Sequence, residues 1–281
     1  MRRKIRSNKK YRAIKNDKTY LNKSKAFLKK NFNGYKNTDW HIYYSTFNNI
    51  KAPNYIPSDL YFTLIEPTLN KQELFRAHTD KNSYECYFKK EELPETIFKI
   101  INGEFFDENN KWITKKEVLK RLIEEKNQIV FKPAILSGAG KNVIIDFAPI
   151  IANELKHIKY ETGSYIIQKK IEQHKKMAQF HPHSVNTCRL LTSRINDEVV
   201  VLSAYFRIGR DQNKIDNGMA GGIMCGINEK GIITDFAFDF TTAKMLVHPN
   251  TGIEFKGFVV PAYSDVRNFC MLNHKKFLHH S

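Results

Sequence analysis

The residues best suited to chemistry lie in one stretch, 128–143, which reads QIVFKPAILSGAGKNV. It opens with the short apolar run 129–131, and such a run bounded by polar residues predicts a buried strand. A loop of small residues follows, and then a second apolar run, so the stretch predicts a β-hairpin. Glycines let backbone N–H groups converge on an anion, and Lys132 and Lys141 add positive charge on either side. The stretch therefore predicts a hairpin that binds phosphate.

Two common nucleotide-binding motifs do not fit this stretch. A P-loop would need a glycine at Ile135 and a serine or threonine at Asn142, followed by a helix. A dinucleotide fingerprint that starts at Gly138 would need a glycine or alanine at Val143. A glycine hairpin alone is also compatible with an ordinary tight turn. The prediction of a phosphate site therefore depends on what the rest of the chain supplies.

Length and cysteine content limit the class of protein. A chain of 281 residues can form one large domain or two closely packed ones. Its four cysteines are far apart and form no CxxC pair, which argues against a disulfide framework and favours a reducing cytoplasm. No apolar run approaches the roughly 18 residues of a membrane span, and the basic N-terminus lacks the apolar core of a signal peptide. We therefore expect a soluble, cytoplasmic protein.

Positive charge is concentrated at the N-terminus. Residues 1–31 hold thirteen lysines and arginines and one acid, Asp17, which leaves 33 basic and 28 acidic residues in the rest of the chain. Ile14, Leu21 and Leu28 recur every seven residues and predict a helix that docks by one stripe. The lysine-rich face of this helix is compatible with an ordinary surface that is exposed to solvent. The alternative is contact of residues 1–31 with an anionic membrane or a polyanion, and no specific nucleic acid is expected.

Local patterns predict the elements between the basic N-terminal segment, residues 1–31, and the hairpin. Residues 38–70 are rich in Tyr, Phe, Asn and Pro without a clear period, which predicts irregular packing. Leu-Pro-Glu at 93–95 predicts the first turn of a helix that extends to residue 103. Thr-Lys-Lys-Glu at 114–117 is a capping box and predicts an amphipathic helix. After the hairpin, YIIQKKI at 165–171 predicts a strand.

The C-terminal part of the chain has a different pattern. Four strands are predicted here, with tight turns at 196–197 and 229–231. Arg189 and Arg207 lie in the first two strands, and arginines within a sheet normally meet an anionic partner. A structural ion pair explains either arginine alone, whereas both together with Lys132 suggest the walls of one anion site. The four predicted strands are 187–195, 199–208, 221–227 and 232–240.

The order of three segments along the chain resembles that of the ATP-grasp fold. The resemblance rests on Asp80 and Lys81, on VFKP at 130–133 with the SGAG loop, and on 165–171. More narrowly, the chain resembles the sugar-transfer associated ATP-grasp family from about residue 45 onward. The segments that carry this resemblance are SVNTCR at 184–189, FRIG at 206–209, DN at 216–217, GG at 221–222 and HPNTG at 248–252.

The resemblance implies an α+β protein with the ATP-grasp fold. Two α+β subdomains would hold the nucleotide between them, and a basic, partly helical N-terminal arm would be added. Residues 1–75 would form the arm and a family-specific region, 76–165 the first (lid) subdomain with the glycine hairpin, and 166–281 a second, C-terminally incomplete subdomain.

The resemblance also implies the nucleotide-binding residues. Lys81 and Lys132 are similar to the two ATP lysines of the fold, and the loop 137–141 to the mobile loop that closes over the phosphates. Lys170 and Ile171 would offer backbone groups to adenine, and Glu172 would meet the ribose hydroxyls. The implied set is Lys81, Lys132, Ser137, Gly138, Gly140, Lys141, Gln168, Lys170, Ile171 and Glu172.

The resemblance also implies a set of polar side chains that face the γ-phosphate and the acceptor. Arg189 and Arg207 would be catalytic residues that face the γ-phosphate, while Asn186 and Asn217 would bind the acceptor. Prepositioned cations suit a phosphoryl group on which charge develops.

The metal ligands stay unassigned. The fold holds Mg²⁺ with an Asp on one late strand and a Glu-x-Asn on the next, and in the family both follow a helix that resembles residues 263–278. The chain ends at Ser281, so neither is expected within it. Asp216, Asp235 and Asp239 are the remaining oxygen donors, and turn or surface roles are the preferred interpretation for them.

We therefore expect an ATP-binding protein whose family implies Mg²⁺ as well. The resemblance implies an ATP-dependent carboxylate–amine ligase associated with capsule or surface polysaccharide biosynthesis, with unknown carboxylate and amine or sugar acceptor. Without the metal strands we expect little ADP release. Two alternatives stay open: a non-catalytic nucleotide-binding scaffold, and a basic nucleic-acid or membrane-surface binder that acts through the arm.

Overall fold

The structure is a computed structural model that describes residues 9–71, 73, 78–135, 142–157 and 163–277. It divides into two compact units, Met1–Lys71 and Gln72–Ser281. None of the helices in these described ranges is both long and apolar enough to cross a membrane.

The first unit is helical. Ile14, Tyr20 and Leu28 are buried, and Leu21 packs against the small core that Ile14 and Tyr20 form with Ile42. The predicted docking stripe is therefore present, but it runs over two helices rather than one, since one helix ends at Lys15 and the next begins at Lys18. The helices are α1 (Lys9–Lys15), α2 (Lys18–Asn31), α3 (Asp39–Asn48), α4 (Ser58–Leu60), a π-helical stretch (Tyr61–Ile65) and α5 (Glu66–Leu69).

The prediction of irregular packing over residues 38–70 is wrong, because helices occupy most of this region. In α3 the ring of Trp40 lies 5.6 Å from those of both Tyr43 and Tyr44, and these residues are three and four positions apart along the helix. Aromatic contacts at helical spacing stabilise a segment whose residues have modest helix propensity.

The second unit begins with a sheet of six strands within the described residues, all paired antiparallel in the order β3-β2-β1-β6-β4-β5. The predicted hairpin is confirmed, since β4 pairs with β5 and Val130 lies opposite Ile145. The strands are β1 (Thr96–Ile101), β2 (Glu104–Asp107), β3 (Trp112–Ile113), β4 (Gln128–Pro133), β5 (Ile144–Phe147) and β6 (Ser164–Lys169).

The helix predicted from residue 93 is wrong, because β1 occupies this segment. Thr96 to Ile101 read TIFKII, and β-branched and aromatic residues favour strands. Both edges of β1 are paired, with β2 on one side and β6 on the other. Tertiary pairing thus outweighs the helix-start signal of Pro94.

One face of this sheet is covered by helices α6 (Lys115–Glu124) and α7 (Ala148–Glu154). The predicted cap of α6 is confirmed, since Thr114 Oγ1 accepts a hydrogen bond from the Glu117 N–H at 3.2 Å. Leu122 and Ile151 are fully buried against the sheet. The other face of the sheet carries the candidate site.

A second antiparallel sheet, of five described strands, has the order β11-β10-β9-β8-β7. Its core is aromatic, with Phe180, Phe206 and Phe255 fully buried. Helix α8 (Lys175–Ala178) comes shortly before Phe180, and Tyr263 of α9 (Tyr263–His274) joins the core. The last two predicted strands are shorter than expected, so Asp235 lies outside the strand that contains Asp239. The strands are β7 (Thr187–Ile195), β8 (Glu198–Ile208), β9 (Ile223–Gly226), β10 (Ala237–Asp239) and β11 (Lys244–Met245).

Candidate functional site

The site begins with Lys132 near the end of β4. Successive strand residues point to opposite faces of a sheet, and Ile129 and Phe131 are buried under the helices. Lys132 therefore lies on the helix-free face. No hydrogen bond or ion pair joins its ammonium to another residue in the described part of the chain.

A second lysine lies beside it. The Lys81 ammonium donates hydrogen bonds to the carbonyls of Pro133 and Ala134, at 3.1 and 3.0 Å. Its backbone N–H donates to the same Ala134 carbonyl at 3.1 Å. Burial lowers the pKa of Lys81. Burial, followed by the charge of Lys81, lowers the pKa of Lys132 to about 8.

Lys99 lies on the same sheet and, unlike Lys132, has partners within the protein. Ile166 of β6 has Lys99 opposite it on one side and Lys132 on the other, so all three share a face. The Lys99 ammonium is 2.7 Å from Glu85 Oε2 and 2.7 Å from Asn110 Oδ1. Lys99 is thus neutralised where it is buried. The Lys132 ammonium, in contrast, pairs with no acid among the described residues and is available to an external anion.

A cleft of about 710 Å³ opens on the same face, where β6 leaves the sheet. Gln128 and Phe147 line it and lie opposite each other in the β4–β5 pairing, and half of Phe147 is exposed (50%). Lys170, Ile171 and Glu172 line the cleft on a second side. Lys132 is four residues along β4 from Gln128, or about 13 Å at 3.3 Å per residue.

The segment after β6 has unpaired backbone. Lys170 still bonds to Gln128, through its N–H at 3.3 Å and its ammonium at 2.8 Å. Ile171 and Glu172, by contrast, make no hydrogen bond to any other described residue. A flat ring with donors and acceptors at its edge could bind there against the exposed side chains of Ile171 and Phe147. An anionic tail would then extend toward Lys132.

Residues 63–281 match the sugar-transfer associated ATP-grasp family. The chain belongs to this family. The predicted α+β ATP-grasp fold is therefore confirmed, and the fold implies that the protein binds ATP. Such a protein is linked to sugar transfer, as the family's description states.

A short segment is also similar to a curated protein of another kind. Over 67 residues, or 23% of the chain, it is 33% identical to signal peptidase I of Buchnera aphidicola subsp. Acyrthosiphon pisum (strain APS). The chain spans about a fifth of that relative's length (21%). A similarity this short does not bear on the fold of the chain.

The predicted ATP residues of this ATP-grasp protein fall into three groups. Lys81 and Lys132 lie together, and Lys170, Ile171 and Glu172 line one cleft. Gln168 is buried on the same sheet face, and its amide donates to the Pro94 carbonyl at 3.1 Å and to Thr96 Oγ1 at 3.3 Å. The remaining residues, Ser137, Gly138, Gly140 and Lys141, lie outside the described residues.

The two predicted arginines have different surroundings. Arg207 donates to Asp216 Oδ1 at 2.5 Å, and the other oxygen of this buried carboxylate accepts a hydrogen bond from the Thr187 hydroxyl. Arg207 is therefore held by an internal partner, although its Nε finds no acceptor among the described residues. Arg189 shares that sheet face, since it lies opposite Tyr205, two residues from Arg207. It is exposed and makes no ion pair within the described ranges.

Asn186 is the centre of a buried hydrogen-bond network. Its amide donates to the carbonyls of Met177 and His181, at 2.9 and 3.0 Å, and its oxygen accepts from the Gly209 N–H at 3.0 Å. A Cβ at Gly209 would overlap Ser184 Oγ and His181 Nδ1, so this close packing needs glycine. Asn186 thus fixes the backbone where β7 begins, and its role toward an acceptor stays a prediction.

Asn217 caps a short 3₁₀ turn. Its side chain accepts a hydrogen bond from the Met219 N–H at 2.8 Å, and its carbonyl accepts from the Gly222 N–H at 2.9 Å. Gly222 is tightly enclosed, because a Cβ there would overlap the Asp216 carbonyl. The turn places Asp216 against Arg207, so the two glycines of the family segment serve the ion pair.

The described residues contain no group of three His, Cys, Asp or Glu side chains that could hold a metal ion. Asp216 is engaged by Arg207 and Thr187, and Asp239 accepts hydrogen bonds from Thr241 and Ala243. Asp235 is exposed. These three carboxylates therefore do not form a shared ligand set for Mg²⁺ in the described part of the chain, and no reaction step is assigned to that ion.

Sequence reasoning found Lys170, Ile171 and Glu172 but missed the rest of the cleft lining, including Gln128 and Phe147. The signal for Gln128 was present, since strand alternation puts residues 128, 130 and 132 on one face. Phe147 has no local signal, because it lines the cleft only through the register of β5 against β4.

The buried pair Arg207–Asp216 generates a stability prediction. Asp216→Ala leaves the guanidinium without its partner, and breaking a buried pair costs about 3–5 kcal/mol. We expect a loss of this order in the free energy of unfolding, measured by urea denaturation. Asp235→Ala is the matched control and should change stability by less than about 0.5 kcal/mol, as an exposed position does. Equal losses in the two variants would contradict a structural role for Asp216.

Proposed function

We propose that this protein is an ATP-dependent carboxylate–amine ligase that acts in the biosynthesis of a capsule or other surface polysaccharide. Lys132 is the observation that carries the proposal. It is a largely enclosed lysine whose ammonium has no partner among the described residues, on the sheet face that also forms the cleft. Burying an ammonium without a counter-ion is costly unless a ligand supplies the counter-charge.

The proposed binding mode uses the cleft, the two lysines and the predicted glycine loop. Adenine would bind the free backbone groups of Ile171 and Glu172, with the ring between apolar side chains that include Phe147. Glu172 would accept hydrogen bonds from the ribose hydroxyls. The phosphates would then reach Lys132 and Lys81, with residues 137–141 of the predicted glycine loop adding backbone donors.

The proposed reaction has two steps. An oxygen of the substrate carboxylate attacks the γ-phosphorus, the bond from that phosphorus to the bridging oxygen breaks, and ADP leaves with the electron pair. The nitrogen of an amine then attacks the acyl carbon, inorganic phosphate leaves, and the amine proton passes to solvent. Arg189 is proposed to neutralise the incoming carboxylate or the transferred phosphoryl group, because it is exposed and has no acid partner in the described part.

The first test concerns the nucleotide. Lys132→Met should weaken ATP binding by about 1.5–3 kcal/mol, the scale of a hydrogen bond to a charged group, as measured by calorimetry. The same change should not lower the free energy of unfolding, because it removes a charge that has no partner in the part of the chain that the structure describes. Lys99→Met is the matched control, since it takes the partner from Glu85 and should lower stability instead. An unchanged ATP affinity in Lys132→Met would refute this binding mode.

The pKa of Lys132 gives a pH dependence with a definite sign. Its folded pKa of about 8 means that the ammonium, which attracts phosphate, is lost as pH rises past 8. ATP affinity should therefore fall between pH 7.5 and 9.5, by up to about tenfold per pH unit for one linked proton. A terminal phosphate, with a second pKa near 6, is already ionised in this range.

Lys132→Arg separates this effect from that of Lys81, whose pKa is also lowered. A guanidinium stays charged to pH 12 and beyond, so the variant should show a flatter profile. A wild-type profile that does not change with pH would exclude Lys132 as a phosphate ligand.

The reaction itself is tested by ADP release. The full chain, ATP and Mg²⁺ are combined with a panel of carboxylates and amino sugars, and ADP is measured with and without the amine. A ligase should release ADP only with a carboxylate present, and inorganic phosphate only when both substrates are present. ATP binding without ADP release across the panel would favour the non-catalytic scaffold.

A further inference from the structure

Helix α2 has an unusual distribution of charge. It carries five lysines, all exposed, and no acid. The side chains of these lysines make no hydrogen bond or ion pair with any other described residue. The five are Lys18, Lys23, Lys25, Lys29 and Lys30.

The acid nearest in sequence is already engaged. Asp17 caps the helix by accepting the Tyr20 N–H at 3.0 Å, and its other oxygen is 2.7 Å from the ammonium of Lys51. The hydrogen bonds from Lys51 and the Tyr20 N–H, followed by the nearby charges of Lys51 and Lys23, lower the pKa of Asp17. The positive charge of α2 is therefore not neutralised by its own unit in the described part of the chain.

The lysines form two rows. At 100° per residue, Lys18, Lys25 and Lys29 lie within an arc of roughly 40°. Lys23 and Lys30 lie on the far side of a strip of small residues. In each row, lysines seven residues apart are separated by about 10.5 Å along the axis. The strip consists of Thr19, Asn22 and Ala26, which are all exposed.

We propose that this surface of α2 binds an anionic polysaccharide, a sugar chain that carries carboxylate or phosphate groups. Lysines act as adaptable point charges for such groups. Thr19 and Asn22 offer hydroxyl and amide partners to sugar hydroxyls between the rows. The choice of a sugar polymer rests on the family's link to sugar transfer and on the proposed function.

Two other partners of a basic helix fit less well. An interfacial membrane helix buries its apolar face in lipid, whereas Tyr20 and Leu28 of α2 are buried within the protein. Single-stranded nucleic acid is held by aromatic stacking as well as charge. No aromatic residue and no arginine is present among the exposed residues of α2. Charge alternating with hydroxyl and amide groups favours a glycan.

The test compares two triple variants of the full chain. Lys18→Gln, Lys25→Gln and Lys29→Gln together remove one row, and glutamine keeps the helix propensity of lysine. Lys111→Gln, Lys230→Gln and Lys256→Gln are the matched control, at exposed positions of the second unit. Binding to polygalacturonate (a carboxylate polymer), to phosphorylated dextran, to an oligo(dT) of equal charge and to phosphatidylserine vesicles is measured from 50 to 200 mM salt.

We expect the row variant to lose about tenfold or more in affinity for at least one of the two sugar polymers at 50 mM salt. The slope of log K against log salt should fall by about 2, at roughly 0.7 per lysine contact. The control should change affinity by less than about twofold. The preferred polymer distinguishes carboxylate from phosphate recognition.

Three results would overturn the proposal: equal losses in the two variants, tighter binding of oligo(dT) than of both sugar polymers, or tighter binding of vesicles than of both. ATP affinity is measured on the same samples and should be unchanged in the row variant. Wild-type protein that binds a sugar polymer through α2 but no ATP would refute the proposed function and leave this inference standing.

Discussion

The pairing of β6 on both of its edges is the constraint on which the candidate site depends. β1 lies on one side of β6 and β4 on the other, although the three strands are widely separated in sequence. Closing these long loops costs chain entropy, which the ladder and its buried face must offset. The register then determines the site. It sets Lys99 and Lys132 on either side of Ile166, and it ends the ladder where the free backbone of Ile171 begins.

The two lysines beside Ile166 show why a residue type alone does not indicate a role. Lys99 is about 1% exposed and has both Glu85 and Asn110 within 2.7 Å, so its charge is met inside the protein. Lys132 is less enclosed, and the nearest charge that acts on it is the like charge of Lys81. Desolvation and repulsion both disfavour its charged form. A fold retains such a group at a cost in stability, and the cost is offset only when an anion binds.

The sequence predicts the parts of this fold that local patterns specify. The hairpin, the capped helix α6 and the strands β7 and β8 each have a periodicity or a turn signal of their own. β1 was mistaken for a helix because Pro94 gives a local signal, whereas the strand is stabilised by partners up to about seventy residues away. The partner of Arg207 was not predicted for a similar reason. Asp216 reaches it through a glycine turn, and only the folded backbone brings the two together.

The protein thus presents two kinds of positive charge, and they respond differently to their surroundings. Lys132 and Lys81 are partly buried, so salt screens them less than it screens an exposed lysine, and burial lowers the pKa of both. The lysines of α2 are exposed to solvent. Their attraction for a polymer comes from counterion release, and salt weakens it steeply. A change of pH near 8 therefore acts on the first site through the lowered pKa of Lys132, while a change of ionic strength acts mainly on the second. This difference allows nucleotide binding and polymer binding to be assigned separately on one intact chain.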